Sequence, residues 1–205
     1  MGGTVKYPAP MARLVGEWLI GRLSPHAERI EIAGSLRRGL EEVGDVEILY
    51  VPKMEPRSTP ALIASFVTPT APVDLVNDAL VELQHTGFLQ RRRTETGRMA
   101  SYGDWNKFLA SSATGIPIDL FRTTHQNWGM GMVVRTGPAE FNIAMMTRFR
   151  QLGMEGHAYG GVTRGRREIE CPTEESVFEL LGLPYLAPET RTDGAWLDAV
   201  GRGAA

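Results

Sequence analysis

The sequence predicts an α+β fold in two unequal parts. Helical and strand patterns alternate up to about residue 121, and the remainder is richer in helix, with two short strands around a turn-rich stretch. The composition, 42% hydrophobic and 22% charged residues, is that of a soluble globular chain. At 205 residues there is room for one large or two small domains, each with its own core.

Met11, Leu14, Val15, Trp18 and Leu19 repeat at helical spacing, and Gly21 offers a stop. Pro25 precedes a short alternating strand, Arg29 to Ile32. Next come a glycine-bounded segment, Gly34 to Gly39, and a second strand, Asp45 to Val51, with Val46, Ile48 and Tyr50 on one face. Residues 52–60 read as a loop. Pro72 opens a helix with Val73, Val76, Leu80 and Leu83 on its stripe, closed by Gly87. Phe88–Arg93, Lys107–Ser111 and the segment around Ile116, Ile118 and Leu120 complete the strands. The second part holds a helix within 124–134 and a strongly patterned one begun by Pro138, with Phe141, Met145, Phe149 and Leu152 on one face. Turns occupy 156–166. A last helix begins at Thr173-Glu174-Glu175, where acidic residues suit the helix dipole, and ends at Gly182. In the tail, Trp196 and Leu197 are candidates for docking.

No stretch approaches the roughly 18 apolar residues of a membrane span, and the N-terminus lacks a secretory pattern. The lone Cys171 excludes an internal disulfide, so the expected setting is a reducing cytoplasm. The net charge of -2 is low for a protein that grips duplex nucleic acid. Any basic surface must be local, with Arg91-Arg92-Arg93 and Arg164, Arg166 and Arg167 as candidates.

The chemistry concentrates in Gly34-Ser35-Leu36-Arg37-Arg38-Gly39 and Gly44-Asp45-Val46-Glu47. A Gly-Ser turn lets backbone N–H groups approach a phosphate, the Ser35 hydroxyl adds a donor, and Arg38 supplies a planar cationic clamp. Asp45 and Glu47 lie two apart on a strand, so both carboxylates leave the same face. They repel one another unless a cation intervenes, and such hard oxygen ligands suit magnesium held together with substrate phosphates. An Asp-x-Glu pair alone marks an exposed strand face more often than a metal site. The spacing to the Gly-Ser turn and a third carboxylate downstream, Asp119 between Ile118 and Leu120, make the combination specific.

These residues resemble the nucleotidyltransferase superfamily, whose Gly-Gly/Ser is followed after about ten residues by Asp-x-Asp/Glu on a strand; here nine residues separate Ser35 from Asp45. The Arg-Arg-Gly after Gly-Ser-Leu is similar to the family X DNA polymerases. So are Thr136-Gly137 with Phe141-Asn142, the run Glu155 to Tyr159, and the ending Thr173-Glu174-Glu175, Leu181-Gly182-Leu183-Pro184-Tyr185, Pro188-Glu189 and Arg191. The similarity runs from about residue 26 to 191 and is weak from 52 to 106. It implies a nucleotidyltransferase palm, a mixed β-sheet with flanking helices, over 1–122. A small α/β thumb over 123–191 and a tail over 192–205 complete the expected organisation. It also implies that Asp45, Glu47 and Asp119 are the catalytic carboxylates and bind two divalent ions, Mg2+ or Mn2+. Gly34, Ser35, Arg38, Gly44, Val134, Arg135, Gly137 and Asn142 are the implied nucleotide-binding residues.

The chain departs from the family pattern at four points. Glu47 replaces an Asp, which lengthens one ligand by a methylene and favours a metal tolerant of irregular geometry, such as manganese. Val134 and Arg135 replace a Tyr-Phe pair that lies against the sugar, so weak discrimination against ribonucleotides is expected. Met146 replaces an Arg that touches the template. One helix precedes the nucleotide motif, which leaves no room for the family's N-terminal modules; lyase activity is therefore not expected, and grip on DNA falls to an accessory DNA-binding protein or a second chain. None of His26, His85, His125 and His157 has ligand-like spacing.

The expected activity is template-directed DNA polymerisation on gapped or primer-template DNA, as in gap-filling repair, using a nucleoside triphosphate and releasing pyrophosphate. A template-independent transferase acting on DNA, RNA or another acceptor stays open, as does a non-catalytic nucleotide- or DNA-binding subunit.

Overall fold

In the computed structural model, which describes residues 5–58, 70–94, 96–157, 159 and 161–192, the chain begins with a two-residue strand, β1 (Tyr7–Pro8), and helix α1 (Ala9–Leu23). Strand β2 (Ala27–Ile32) leads through the one-turn helix α2 (Gly34–Arg37) and β3 (Glu42–Val43) into β4 (Val46–Pro52). A hairpin of β5 (Met54–Ser58) and β6 (Thr70–Asp74) precedes α3 (Leu75–His85), β7 (Leu89–Arg91), β8 (Asn106–Ser111) and β9 (Pro117–Arg122). The rest comprises α4 (Trp128–Thr136), α5 (Ala139–Gln151), a small antiparallel sheet of β10 (Glu155–Gly156), β11 (Val162–Arg164) and β12 (Arg167–Ile169), and α6 (Glu174–Leu181). This is the α+β class expected, with a mixed five-stranded sheet ordered β2-β4-β9-β8-β7. Within it β4 and β9 run parallel, and the other neighbours are antiparallel.

Strand β4 is buried on both faces, which explains its nearly continuous apolar run. Val46, Ile48 and Tyr50 join α1 and α3 in one core with Leu19, Leu23, Val76 and Leu80. Leu49 and Val51 pack the other face with Phe121, Trp128 and Met132. Asp45, Glu47 and Asp119 have the parity of that second face, the one covered by α4. A separate core joins α4, α5 and α6 through Met130, Val133, Phe141, Met145, Phe149, Val177, Phe178 and Leu181. Burying each of its phenylalanines stabilises the fold by roughly 1.5–3 kcal/mol.

Three readings of the sequence need correction. The buried face of α1 is Ala12, Gly16, Leu19 and Leu23, while Leu14 is 68% exposed and Trp18 37%. The small residues decide this: a Cβ at position 16 would meet Val46 Cγ1 at 3.0 Å, so close approach to the sheet outweighs side-chain size. Gly21 accordingly lies inside the helix. Residues 54–58 form a strand within the segment expected to be loop, and Pro72 and Val73 lie in β6. The helix after them starts later because Asp74 is its N-cap, its side chain accepting from the Asn77 N–H at 3.1 Å. Trp196 and Leu197 lie outside the described residues.

Candidate active site

The sheet topology gathers residues distant in sequence at one end of the sheet. Because β2 runs antiparallel to β4, the turn after β2 lies beside the start of β4. Because β4 and β9 are parallel, Glu47 pairs directly with Asp119 in register, with Asp45 two residues earlier on the same face. The three predicted carboxylates therefore share one surface next to the Gly34–Ser35 turn. Gly34 has φ +67, and a Cβ there would run into the Glu47 carboxylate; glycine is required on both counts.

The electrostatics are those of crowded, desolvated acids. Burial pushes Glu47 up to about 8, with Asp45 and Asp119 adding to the rise and Arg135 and Arg38 opposing it. Burial likewise pushes Asp119 up to about 6, although Arg92 pulls the other way. Asp45 is raised by burial against the pull of Arg92, Lys6 and Arg38. Arg92 Nη1 stands 2.8 Å from Asp119 Oδ1 without the alignment of a hydrogen bond; the aligned contact runs from Nη2 to Oδ2 at 3.4 Å. Asp119 Oδ1 is thus a buried acceptor with no hydrogen-bond partner among the described residues. Three oxygen donors that repel one another, one of them unsatisfied, fit a hard divalent cation. Among the described residues, however, no three His, Cys, Asp or Glu side chains already converge on a single metal position.

The predicted nucleotide-binding residues fall into two groups. Arg38 donates through Nη1 to the Thr136 carbonyl, Gly137 lies between Arg38 and Asn142, and Asn142 Nδ2 donates to the Val134 carbonyl at 2.8 Å. Gly34, Ser35, Arg38, Val134, Gly137 and Asn142 are thereby linked across α2, α4 and α5. Asn142 Oδ1 is a second buried acceptor without a hydrogen-bond partner among the described residues. Arg135 stacks 3.6 Å over Phe121 and 5.6 Å from the ring centre of Tyr159, and its charge faces Glu47 and Asp119. Gly44 falls on the other flank, lining a cleft with Asp45 and Arg92. Met146 is partly buried against the core of the C-terminal helices.

Two features escaped the sequence. Arg92 belongs to a run of three arginines, but nothing in the sequence joins it to Asp119, 27 residues away. Glu174 is a buried hub: Arg37 donates to it from Nη1 at 2.9 Å, and Arg191, fully buried, donates from Nη1 and Nη2 at 3.1 Å each. Arg37 also donates to the Thr136 hydroxyl at 2.9 Å, so this network ties the Gly34–Ser35 turn to α4 and α6. Burial pulls both guanidiniums toward the neutral form. The Glu174 hydrogen bond and charge outweigh that pull at Arg37, and do not at Arg191.

Residues 131–192 match the family described as the DNA polymerase beta thumb. DNA polymerase lambda of Rattus norvegicus is similar to the chain, with 26% identity over 169 residues that make up 77% of this chain. The matched part spans 28% of the length of that relative. The chain is thus similar to family X DNA polymerases in its C-terminal region, which matches their thumb, and it carries a carboxylate cluster at the end of the preceding sheet.

Proposed function

We propose that the chain is a nucleotidyltransferase that joins a nucleoside monophosphate, from an NTP or dNTP, to the 3′-hydroxyl of a DNA primer in a gap or primer-template, as in gap-filling repair. One observation carries this reading: Asp45, Glu47 and Asp119 stand side by side at one end of the sheet, next to the Gly34–Ser35 turn and Arg38. In this reading residues 1–122 act as palm and 123–191 as thumb. Ser35 and Arg38 take the triphosphate, Asn142 and Gly137 bound the base and sugar, and the absence of a large side chain at Val134 weakens selection against ribonucleotides. Asp45, Glu47 and Asp119 would hold divalent cations, Mg2+ or Mn2+, which in such sites lower the pKa of an attacking hydroxyl and neutralise the leaving pyrophosphate. The carboxylates, Glu47 and Asp119 on the paired strands β4 and β9 and Asp45 just before β4, serve by fixed placement: rigid strands hold charge where the reaction needs it without reorganisation. An accessory DNA-binding protein supplements the weak grip implied by a net charge of -2. Buried Cys171, its thiol pushed up to about 11 by burial, is inert and fits a reducing cytoplasm. No helix among the described residues is long and apolar enough to cross a membrane.

A template-independent transferase is the second reading. It is favoured by Met146, an apolar side chain partly buried in the core where an exposed cation would help to hold a template. Primer extension with single dNTPs and NTPs, in Mg2+ and in Mn2+, separates the two on a one-nucleotide gap, an open primer-template and a bare strand. Template-matched addition that disappears in Asp119→Ala supports the first reading and template-blind addition the second. No addition to any of the three substrates overturns the first reading and confines the second to an RNA or other non-DNA acceptor.

A further inference from the structure

We infer that the turn between β11 and β12, with Arg164, Arg166 and Arg167, is a separate nucleic-acid contact that grips backbone phosphates of a DNA duplex at a distance from the carboxylates. The inference rests on the transferase reading above and adds a site that the proposed chemistry does not use.

The hairpin itself is the first observation. Arg164 and Arg167 stand directly opposite one another at its last paired position, and Gly165, with φ +61, and Arg166 close it. Glycine at the first of two loop residues satisfies such a turn, and turn chemistry calls for no arginine at the second. Like charges directly opposite one another across two strands are destabilising. All three arginines are exposed, and among the described residues none makes a side-chain hydrogen bond or an ion pair. Elsewhere in the chain Arg29, Arg37, Arg57, Arg92, Arg122 and Arg191 each have a carboxylate partner. The cluster works against folding unless an external anion offsets it.

Its placement is the second observation. Strand alternation puts Arg164 and Arg167 on the face of Val162 and Ile169, which pack into the C-terminal core, and Thr163 and Glu168 on the other. An open hollow of about 540 Å³ is lined by Arg164 and Arg167 with Glu168, Ile169 and Glu170. The two glutamates confine anion binding to its turn end, where the arginines lie. Because β10 and β11 are antiparallel, the end of α5, with exposed Arg150, comes to the same end of the small sheet as the turn. Tyr159, in the loop at the opposite end, accepts from Asn106 of β8 at 3.3 Å. The basic end of the small sheet is therefore the one remote from the five-stranded sheet.

Distance selects the partner. Helix α5 starts just after Gly137, beside Arg38, and runs 13 residues, or roughly 20 Å, to the basic end. That length matches roughly six base pairs of duplex DNA at about 3.4 Å each. A triphosphate held at Ser35 and Arg38 does not span it, whereas a duplex whose end lies at the carboxylates does. A duplex carries one negative charge per roughly 1.7 Å of its axis, so several phosphates fall within reach of the cluster. Guanidiniums take phosphate oxygens bidentately, and every cation here is an arginine. A chain of net charge -2 thereby concentrates positive charge where a duplex leaves the site.

The test varies duplex length. A fluorescein-labelled, gapped dumbbell DNA with a dideoxy primer end is followed by anisotropy in EDTA across a salt series. The stem on each side of the gap is set in turn at about 4 or about 12 base pairs, short of and beyond the 20 Å span. Wild type is expected to gain about tenfold in affinity from the long stem on at least one side. Arg164→Gln/Arg166→Gln/Arg167→Gln is expected to lose that gain and to flatten the salt slope by about two, with unchanged affinity for short stems and for a fluorescent dATP analogue in calcium. Its melting temperature is expected to stay the same or rise, because a repelling pair is removed. Arg166→Gln alone, at the tip of the turn, is expected to act in the same direction by a smaller factor and guards against misfolding of the triple variant. Long-stem affinity and salt slope that are the same in wild type and both variants overturn the assignment. So does a triple variant that keeps its DNA affinity and loses affinity for polyglutamate, which gives the hairpin to an acidic protein. Wild-type protein that extends primers while its DNA affinity ignores these arginines defeats this inference alone. Arginine-dependent, stem-dependent binding without any extension defeats the transferase reading alone.

Discussion

The sheet around β4 and β9 and the helical region of α4, α5 and α6 differ in what their buried residues do. In the C-terminal region burial is mostly apolar, with Phe141, Phe149 and Phe178 fully enclosed and α6 capped at both ends. Around the sheet end, burial includes acids pressed against one another: Glu47 is pushed up to about 8 and Asp119 up to about 6, chiefly by desolvation. The family match lies on residues 131–192, the well-packed region, while the three carboxylates lie before it. The thumb match thus lies where buried residues serve folding, and the proposed chemistry lies where buried acids repel one another.

Substitutions should separate the two regions. The largest effect is expected in the sheet: Asp45→Ala or Asp119→Ala should lower the single-turnover rate of primer extension by about a thousandfold or more, with the melting temperature unchanged or raised. Loss of activity matched by loss of fold would erase the contrast. Next comes the hub between the regions. Glu174→Ala leaves Arg191 fully buried without its carboxylate, which costs about 3–5 kcal/mol, read as a shift in the urea midpoint. A shift under about 1 kcal/mol would mean that water enters to solvate Arg191.

The third prediction concerns pH. The folded state keeps a proton on Glu47 up to about 8, whereas the unfolded chain releases it near 4.5. Folding then binds a proton between these values, so without divalent cations stability falls as pH rises through that window, by on the order of a few kcal/mol. Glu47→Gln should abolish this part of the fall, melting higher than wild type at pH 8 and alike near pH 5 in EDTA. Parallel pH profiles would show that Glu47 is ionised and hydrated in the folded protein. Smaller again, Val134→Tyr should raise selection for deoxyribonucleotides over ribonucleotides by about tenfold, measured as a ratio of kcat/KM values. An unchanged ratio would put the sugar elsewhere. The smallest effect belongs to the α6 capping box, where the Thr173 hydroxyl accepts from the Ser176 N–H at 3.2 Å. Thr173→Ala should cost about 1 kcal/mol in thermal unfolding and leave extension kinetics unchanged.

Much of this was legible in the sequence because the relevant physics is local. The apolar run of β4, the stripe of Phe141, Met145 and Phe149, and the caps at Thr173 and Gly182 follow from periodicity and side-chain chemistry over a few residues. The pairing of Asp45 with Glu47 on one face follows from the two-residue repeat of a strand. What stayed hidden depended on neighbours remote in the chain. The inward face of α1 was set by the small Ala12 and Gly16 approaching the sheet, against the pull of larger side chains at Leu14 and Trp18. The β5–β6 hairpin needed two partners separated by the stretch from 59 to 69. The parallel register that sets Asp119 beside Glu47, the guanidinium of Arg92 against it, and the Arg37–Glu174–Arg191 hub were decided only in three dimensions. Sequence specifies which residues can carry charge or fill a core; close packing and the antiparallel and parallel pairing of distant strands decide which charges meet.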